Sequence, residues 1–390
     1  MYSRPHPAAV RLAVFYGAFF TVVGTLQPFW PLWLEAKALD AAEIGLVLAI
    51  GIGVKVFGLP IAAHVADRTG ERQRLIALLA TASVLAWALF AIADGFWPIV
   101  LVSLVFFSLW PPVMSLAESL TIAAAHDGSF QYGRVRLWGS IAFIVTALFA
   151  GAVLTRLPAD AVFWIILAGV ALTAITTLRL PDRRSEPSTG HGLPVLALLR
   201  RRPFMLMMIA CGLIQGSHAV YYAFGAIHWR AAGYTEDVIG ALWAEGVICE
   251  VVLFAFGATL VHRLGAERMI ALAGLAATVR WIGTAATDAL LPLALLQALH
   301  AVSFGAAHLG AMHWMVRHVP PGLSATAQSL YSAVVWGVFL GPMLWVAGLL
   351  YARFAAGAFL PMAAAGAAGA AVALALIRGG HGVRAHRAGR

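Results

Sequence analysis

The stretch Asp67-Arg68-Thr69-Gly70-Glu71-Arg72 recurs in altered form as His262-Arg263-Leu264-Gly265-Ala266-Glu267-Arg268. The offset is 195 residues in a chain of 390. The same offset carries Ile44-Gly45 onto Ile239-Gly240, and Lys55 onto Glu250. Several matches in one register, each at the same place in its apolar run, indicate an internal repeat of half the chain.

The repeat is built from membrane spans. The chain is 62% hydrophobic and 11% charged, against roughly 25% charged in a soluble domain. Mean hydropathy is +0.87. So few charges exclude cytosolic enzymes, secreted disulfide scaffolds and disordered chains. A bilayer crossing takes about 20 mostly apolar residues. Twelve stretches qualify: 11–34, 41–65, 75–93, 97–122, 136–156, 161–180, 203–229, 236–260, 268–286, 289–316, 325–351 and 355–378. The run Leu12–Leu34 is too long for a signal peptide and is read as the first span. The longest connection, Pro181–Arg202, is basic and carries Pro, Gly and Ser, which reads as a linker. The expected organisation is a six-helix bundle over 1–180, a cytoplasmic linker over 181–202, a second six-helix bundle over 203–378 and a cytoplasmic tail over 379–390. The predicted fold class is therefore all-α integral membrane, with 12 transmembrane helices in two pseudo-symmetric bundles.

The net charge of +9 follows from the same arrangement. With both termini in the cytoplasm, 19 of the 26 Lys and Arg fall on that side and four on the other. This positive-inside bias sets the expected orientation. Contact with anionic lipid accounts for the basic loops. Nucleic acid is not an expected partner, because the cations are scattered over many short loops. Cys211 and Cys249 sit in apolar runs without metal-type spacing, and no H-E-x-x-H motif occurs, so neither metal nor cofactor is expected and an integral membrane enzyme is a poor alternative.

Ionisable groups at membrane depth are expensive and are functional candidates by default. The cations are Lys55, Arg136 and Arg280; the acids are Glu118, Glu245 and Glu250. Lys55 is 12 residues from both Glu43 and Asp67, roughly 18 Å from either end of its helix. A lysine stem reaches about 6 Å, so Lys55 either pairs with a glutamate or offers its charge to an anionic ligand. Its repeat mate Glu250 lies at equivalent depth. Glu118 and Arg136 sit on adjacent spans and can pair. Arg280 lies deep in the ninth span; His300 and His308 follow in the tenth, eight residues apart and about 80° around the helix. Together with Glu250 they suggest a proton relay. Gln215, His218, Tyr221 and Tyr222 fall on one polar-aromatic face, and Gln27 is the repeat mate of Tyr222. Asp67, Arg68, Gly70 and Arg72 read as a gating loop at a helix end.

Two six-helix halves repeated in parallel are the plan of major-facilitator transporters, and D-R-x-G-x-R resembles the loop signature of that superfamily. It departs from the signature at Ala63 and Glu71, and the second copy carries His262 in place of the acid. Pro28-Phe29-Trp30, Trp33-Leu34, Tyr132–Ser140, Gln215–Ala219 with Tyr221-Tyr222, Ala231–Tyr234, Val279-Arg280-Trp281 and Tyr331–Val334 resemble the branch containing the 3-phenylpropionic acid transporter. More distantly the chain is similar to nucleoside–proton symporters and lactose permease. The resemblance implies that Glu118 and Arg136 match the permease sugar-binding pair, and that Arg280 and His300 match its proton-coupling arginine and histidine. Ser303 stands where that family has its coupling carboxylate, and Gln297 where it has a lysine.

The expected function is a proton-coupled symporter of the bacterial inner membrane, working as a monomer. It would import an aromatic carboxylate such as 3-phenylpropionate by alternating access. Lys55 and Arg136 would take the carboxylate, and Tyr221, Tyr222, Trp138 and Trp30 would flank the ring. Glu250, Arg280, His300 and His308 would handle the proton. A nucleoside or sugar symporter, or a drug exporter, is the alternative within transport.

Overall fold

The computed structural model describes residues 6–125, 130–181, 195–320 and 323–388, with backbone alone for Ala325 and 379–388. Residues 182–194 of the expected linker and 389–390 of the tail lie outside the described residues. Every described regular element is helical.

Apolar runs of bilayer length and short, well-signalled ends produce the rods. Helix α1, Pro7–Ala36, starts with proline in its first turn, where a missing N–H costs nothing. Helix α2, Ala41–Thr69, starts with a reciprocal cap. Asp40 Oδ1 accepts from the Glu43 N–H at 2.8 Å, and Glu43 Oε2 accepts from the Asp40 N–H at 2.9 Å. It ends at Gly70, whose φ of 68° is left-handed. Gly265, one repeat later, has φ 83°. Both positions need a residue without Cβ, which is why the glycine survives in both loop copies.

The remaining rods are α3 (Arg72–Ala91), α4 (Phe96–Ala125), α5 (Tyr132–Leu154), α6 (Ala161–Thr177), α7 (Arg202–Ala231), α8 (Glu236–Ala255), α9 (Ala266–Ala286) and α10 (Leu290–His318). A single apolar stretch of 53 residues, Thr326–Arg378, supplies the last two. Ala355, with φ 46°, divides it into α11 (324–354) and α12 (Phe359–Ala388). Twelve rods result among the described residues. Two turns are π-helical, Ala301–Ala306 within α10 and Ala333–Leu340 within α11.

The described chain forms two compact units, Met1–Gly190 with Trp229–Ala244, and His191–His228 with Glu245–Arg390. In the first, α1 packs on α5 and α6, α4 on α2 and α3, and α3 on α6. In the second, α7 packs on α11 and α12, α10 on α9, and α9 on α12. Helix α8 meets α10 through Gly246, where a Cβ would lie 3.4 Å from His300 Cδ2. Each pairing in one unit thus recurs six helices later, and the sequence repeat is a structural one. The segment Trp229–Ala244 is held on the first unit by an ion pair between Glu35 and Arg230, themselves repeat mates, and by the Asp237 N–H donating to Thr155 Oγ1 at 3.1 Å.

Glycines set the closest approaches. A Cβ on Gly274 in α9 would stand 2.7 Å from the Ala370 nitrogen and 2.8 Å from the Gly366 oxygen of α12. Backbone cannot move aside as a side chain can. Gly274→Val is therefore expected to cost about 1–3 kcal/mol, read as a lowered thermal midpoint of the purified protein.

Candidate functional site

Each unit carries a polar cluster inside its apolar helices. In the first unit it joins α1, α4 and α5. Arg136 Nε stands 3.6 Å from Glu118 Oε1, and the two side chains are 31% and 39% exposed. Tyr132 Oη donates to the same oxygen at 3.5 Å. Tyr16 Oη donates to Thr121 Oγ1 at 3.4 Å. The guanidinium lies 4.2 Å above the Phe20 ring and 5.7 Å from that of Tyr16. The expected pair is formed, but through one nitrogen and loosely, so both groups keep donor and acceptor capacity for a ligand.

Gly139, one turn beyond Arg136, makes room for this arrangement. A Cβ there would lie 2.9 Å from Arg136 Nη1 and 2.7 Å from Phe20 Cδ2. Gly139→Val is expected to push the guanidinium off Phe20 at a cost of about 1–3 kcal/mol, read as a lowered thermal midpoint of the purified protein.

Lys55 is half-buried where α2 is interrupted, at the junction of Ala41–Gly53 and Lys55–Thr69. Its Nζ lies 5.9 Å from the Phe107 ring. Among the described residues no carboxylate pairs with it. The internal pairing left open by the sequence is absent there.

In the second unit Arg280 organises the cluster. Its side chain is fully buried. Nη2 donates to Gln297 Oε1 at 2.5 Å; Nη1 donates to His300 Nδ1 at 3.0 Å and to Ser303 Oγ at 3.4 Å. The guanidinium also lies 4.5 Å from the Tyr221 ring and 4.4 Å from that of Trp281. No carboxylate forms an ion pair with it among the described residues. Arginine only donates, so His300 Nδ1 accepts and the ring proton sits on Nε2. That nitrogen faces Glu250 Oε2 at 3.9 Å. Glu250 is 19% exposed and His300 is buried, so the row Arg280, His300, Glu250 runs from a fully buried cation to a partly exposed carboxylate. Gly305 packs beside Glu250, where a Cβ would lie in ordinary contact with Glu250 Cγ at 3.5 Å.

The α7 face joins this network. His218 Nδ1 donates to the Ile214 oxygen at 3.0 Å, leaving Nε2 to accept from Ser303 Oγ at 3.2 Å. Gln297 Nε2 donates to Tyr221 Oη at 3.1 Å. Gln215 Nε2 donates to the Phe304 oxygen in the π turn at 3.2 Å, and Tyr222 stacks on His218 at 5.6 Å.

Other expected residues are placed elsewhere. Trp138 is 55% exposed, because two residues beyond Arg136 a helix has turned about 200° and faces away from the ion pair. Trp30 is buried in an aromatic core with Trp33 at 4.6 Å, Trp87 at 4.9 Å and Phe90 at 4.9 Å. Stacking with Trp33 three residues on turns Trp30 inward. His308 lies beside Tyr331, 6.3 Å between rings, and outside the Arg280 network. The π turn separates it from His300. Gln27 is half-buried and takes no part in either cluster, and Glu245 is half-buried without an ion pair, among the described residues. In the loop, Arg72 pairs with Asp67 at 3.1 Å, and Arg74 with Glu71 at 3.1 Å.

The pattern of the MFS_1 like family matches residues 9–360. This chain belongs to that family. Among relatives of this MFS_1-like chain, the "Probable 3-phenylpropionic acid transporter" of Escherichia coli (strain K12) is 33% identical over 364 residues, covering 90% of this chain and 93% of the relative. Maltose permease of Geobacillus stearothermophilus is 26% identical, covering 90% of each. The crystal structure of the nucleoside transporter NupG superposes with a TM-score of 0.83 at 18% identity, covering 95% of this chain and 99% of that one. The fold is that of the major facilitator superfamily, and the MFS_1-like chain is a multi-pass membrane transporter rather than an enzyme.

Proposed function

We propose that the protein is a proton-coupled symporter that imports an aromatic carboxylate of the 3-phenylpropionate type. Its membrane is the bacterial inner membrane, with both termini cytoplasmic, and it works as a single chain by alternating access. The observation that carries the substrate class is Lys55: a half-buried cation within a membrane helix, without a carboxylate partner among the described residues. An unneutralised cation at such depth is costly, and a substrate carboxylate offsets that cost. Arg136, held only loosely by Glu118, is the second candidate for the carboxylate. Phe20, Tyr16 and Tyr132 beside it offer ring faces and a hydroxyl. The name of the 33% identical relative points the same way.

Proton handling rests on Glu250 and His300. Uptake at Glu250 makes the carboxyl neutral and a donor. Loss of that proton leaves an anion facing the His300 Nε2–H, with Arg280 fixing the ring's tautomer from the other side. Gln297 and Ser303 replace a cation and an acid of the permease pattern together, so the local charge balance is kept with neutral partners.

A sugar or nucleoside substrate is the second reading, favoured by the Glu118–Arg136 pair, which suits hydroxyl groups. Thermal stabilisation separates the two. Millimolar 3-phenylpropionate is expected to raise the melting temperature, and Lys55→Gln to abolish the rise, while maltose and uridine leave it unchanged. Stabilisation by maltose or uridine alone would overturn the aromatic-acid assignment.

A further inference from the structure

The first unit carries an open groove of about 300 Å³. Its floor is α1 and its walls are α5 and α6. Val14 and Gly17, Trp138 and Val145, and Leu172 and Thr176 line it. The helices are clamped above it, where a Cβ on Gly24 would lie 2.7 Å from the Phe143 oxygen and one on Gly169 2.8 Å from Val22 Cγ2. Below the clamp they part, and a Cβ on Gly17 would meet nothing within 4 Å. The lining offers little to a polar ligand: the Thr21 and Thr176 hydroxyls donate to the Ala18 and Thr173 oxygens of their own helices.

One helical turn beyond the groove, α1 and α5 each carry an arginine, and the turn that follows α6 carries a third at the same end. Arg11 precedes Val14 by three residues, Arg134 precedes Trp138 by four, and Arg179 follows Thr176 by three. At about 100° per residue Arg11 lies roughly 60° from Val14 and Arg134 roughly 40° from Trp138, and Arg179 lies in the turn after α6, its N–H donating to the Thr176 oxygen at 3.1 Å. All three are exposed, and none of their side chains has an ion pair or hydrogen bond among the described residues.

We propose that this groove is a binding site for one anionic phospholipid, with an acyl chain along Gly17 and the phosphate at Arg11, Arg134 and Arg179. An apolar groove with three exposed cations at one end, none of them ion-paired among the described residues, matches that amphiphile and no polar solute. Trp138 then sits at the boundary of tail and headgroup, where tryptophan is favoured. A second copy of the chain is a poor occupant, because it would bring its own three arginines against these.

The test is native mass spectrometry of the purified protein with dioleoyl-phosphatidylglycerol and dioleoyl-phosphatidylcholine, which share tails and differ in headgroup charge. At about fivefold per arginine, phosphatidylglycerol is expected to bind about a hundredfold tighter. Each single Arg→Gln change should lose about fivefold, and R11Q/R134Q/R179Q should bind both lipids equally. Gly17→Leu fills the groove without touching the arginines or the core, and should lose the bound phosphatidylglycerol at an unchanged melting temperature. The proposal is overturned if the wild type binds both lipids equally, if the triple variant keeps its preference, if Gly17→Leu binds as the wild type does, or if a dimer takes the place of the lipid.

Discussion

Glu250→Gln is expected to abolish proton-driven accumulation while leaving solute exchange close to the wild-type rate. The amide keeps the size of the carboxyl and an acceptor oxygen toward the His300 Nε2–H, so the contact at 3.9 Å and the packing on Gly305 are preserved. What it cannot do is take up a proton. A gradient of one pH unit is worth about 1.4 kcal/mol per proton and sustains about tenfold accumulation. The variant should sustain a ratio of one, the value of a uniporter. Exchange of internal for external solute needs no net proton movement and should persist. Accumulation at the wild-type ratio would remove Glu250 from the proton path.

Arg280→Met is expected to give the largest loss of both stability and transport. The change removes the donors to Gln297 Oε1, His300 Nδ1 and Ser303 Oγ at once. Each buried acceptor left without a partner costs about 1–3 kcal/mol, although the three are coupled and their costs do not simply add. His300 also loses the contact that fixes its proton on Nε2. Arg280→Lys separates the two effects. It restores the charge, but a lysine ammonium is a compact point donor and cannot reproduce a planar fork over two rings. It is expected to recover most of the melting temperature and still transport at least about tenfold more slowly. If Arg280→Lys transports as the wild type does, the hydrogen-bonded geometry is irrelevant and only the charge matters.

The fold was legible because its signals are long-ranged and repeated. Twelve apolar runs, the loop copies at Gly70 and Gly265, and the offset of 195 residues each pointed to paired six-helix halves. Charges at membrane depth were legible too, since their cost makes them few: Glu118 with Arg136 and Arg280 with His300 were brought together as their types suggested. What one helix presents to another was harder. Tyr16 and Phe20 reach Arg136 only through the crossing of α1 with α5, which no spacing within one helix encodes. Residue type alone points to Trp30 and Trp138. Helical phase would have turned Trp138 away from Arg136, and the Trp30–Trp33 spacing of three hinted at a stacked core. Gln297 and Ser303 read as departures from the permease pattern, whereas in the structure they are Arg280's partners; their spacing of three residues on either side of His300 is the available signal. The π turn at Ala301–Ala306 has no periodic signature, and it sets how His300, Ser303 and His308 are placed on α10.

The most direct test is uptake of labelled 3-phenylpropionate by the purified protein in sealed vesicles, with an imposed pH gradient, alkaline inside. Proton-coupled import predicts accumulation above the external concentration, collapse of that accumulation by a protonophore, and its absence in Glu250→Gln vesicles. Uptake that ignores the gradient, or no uptake of the aromatic acid at all, would contradict the account.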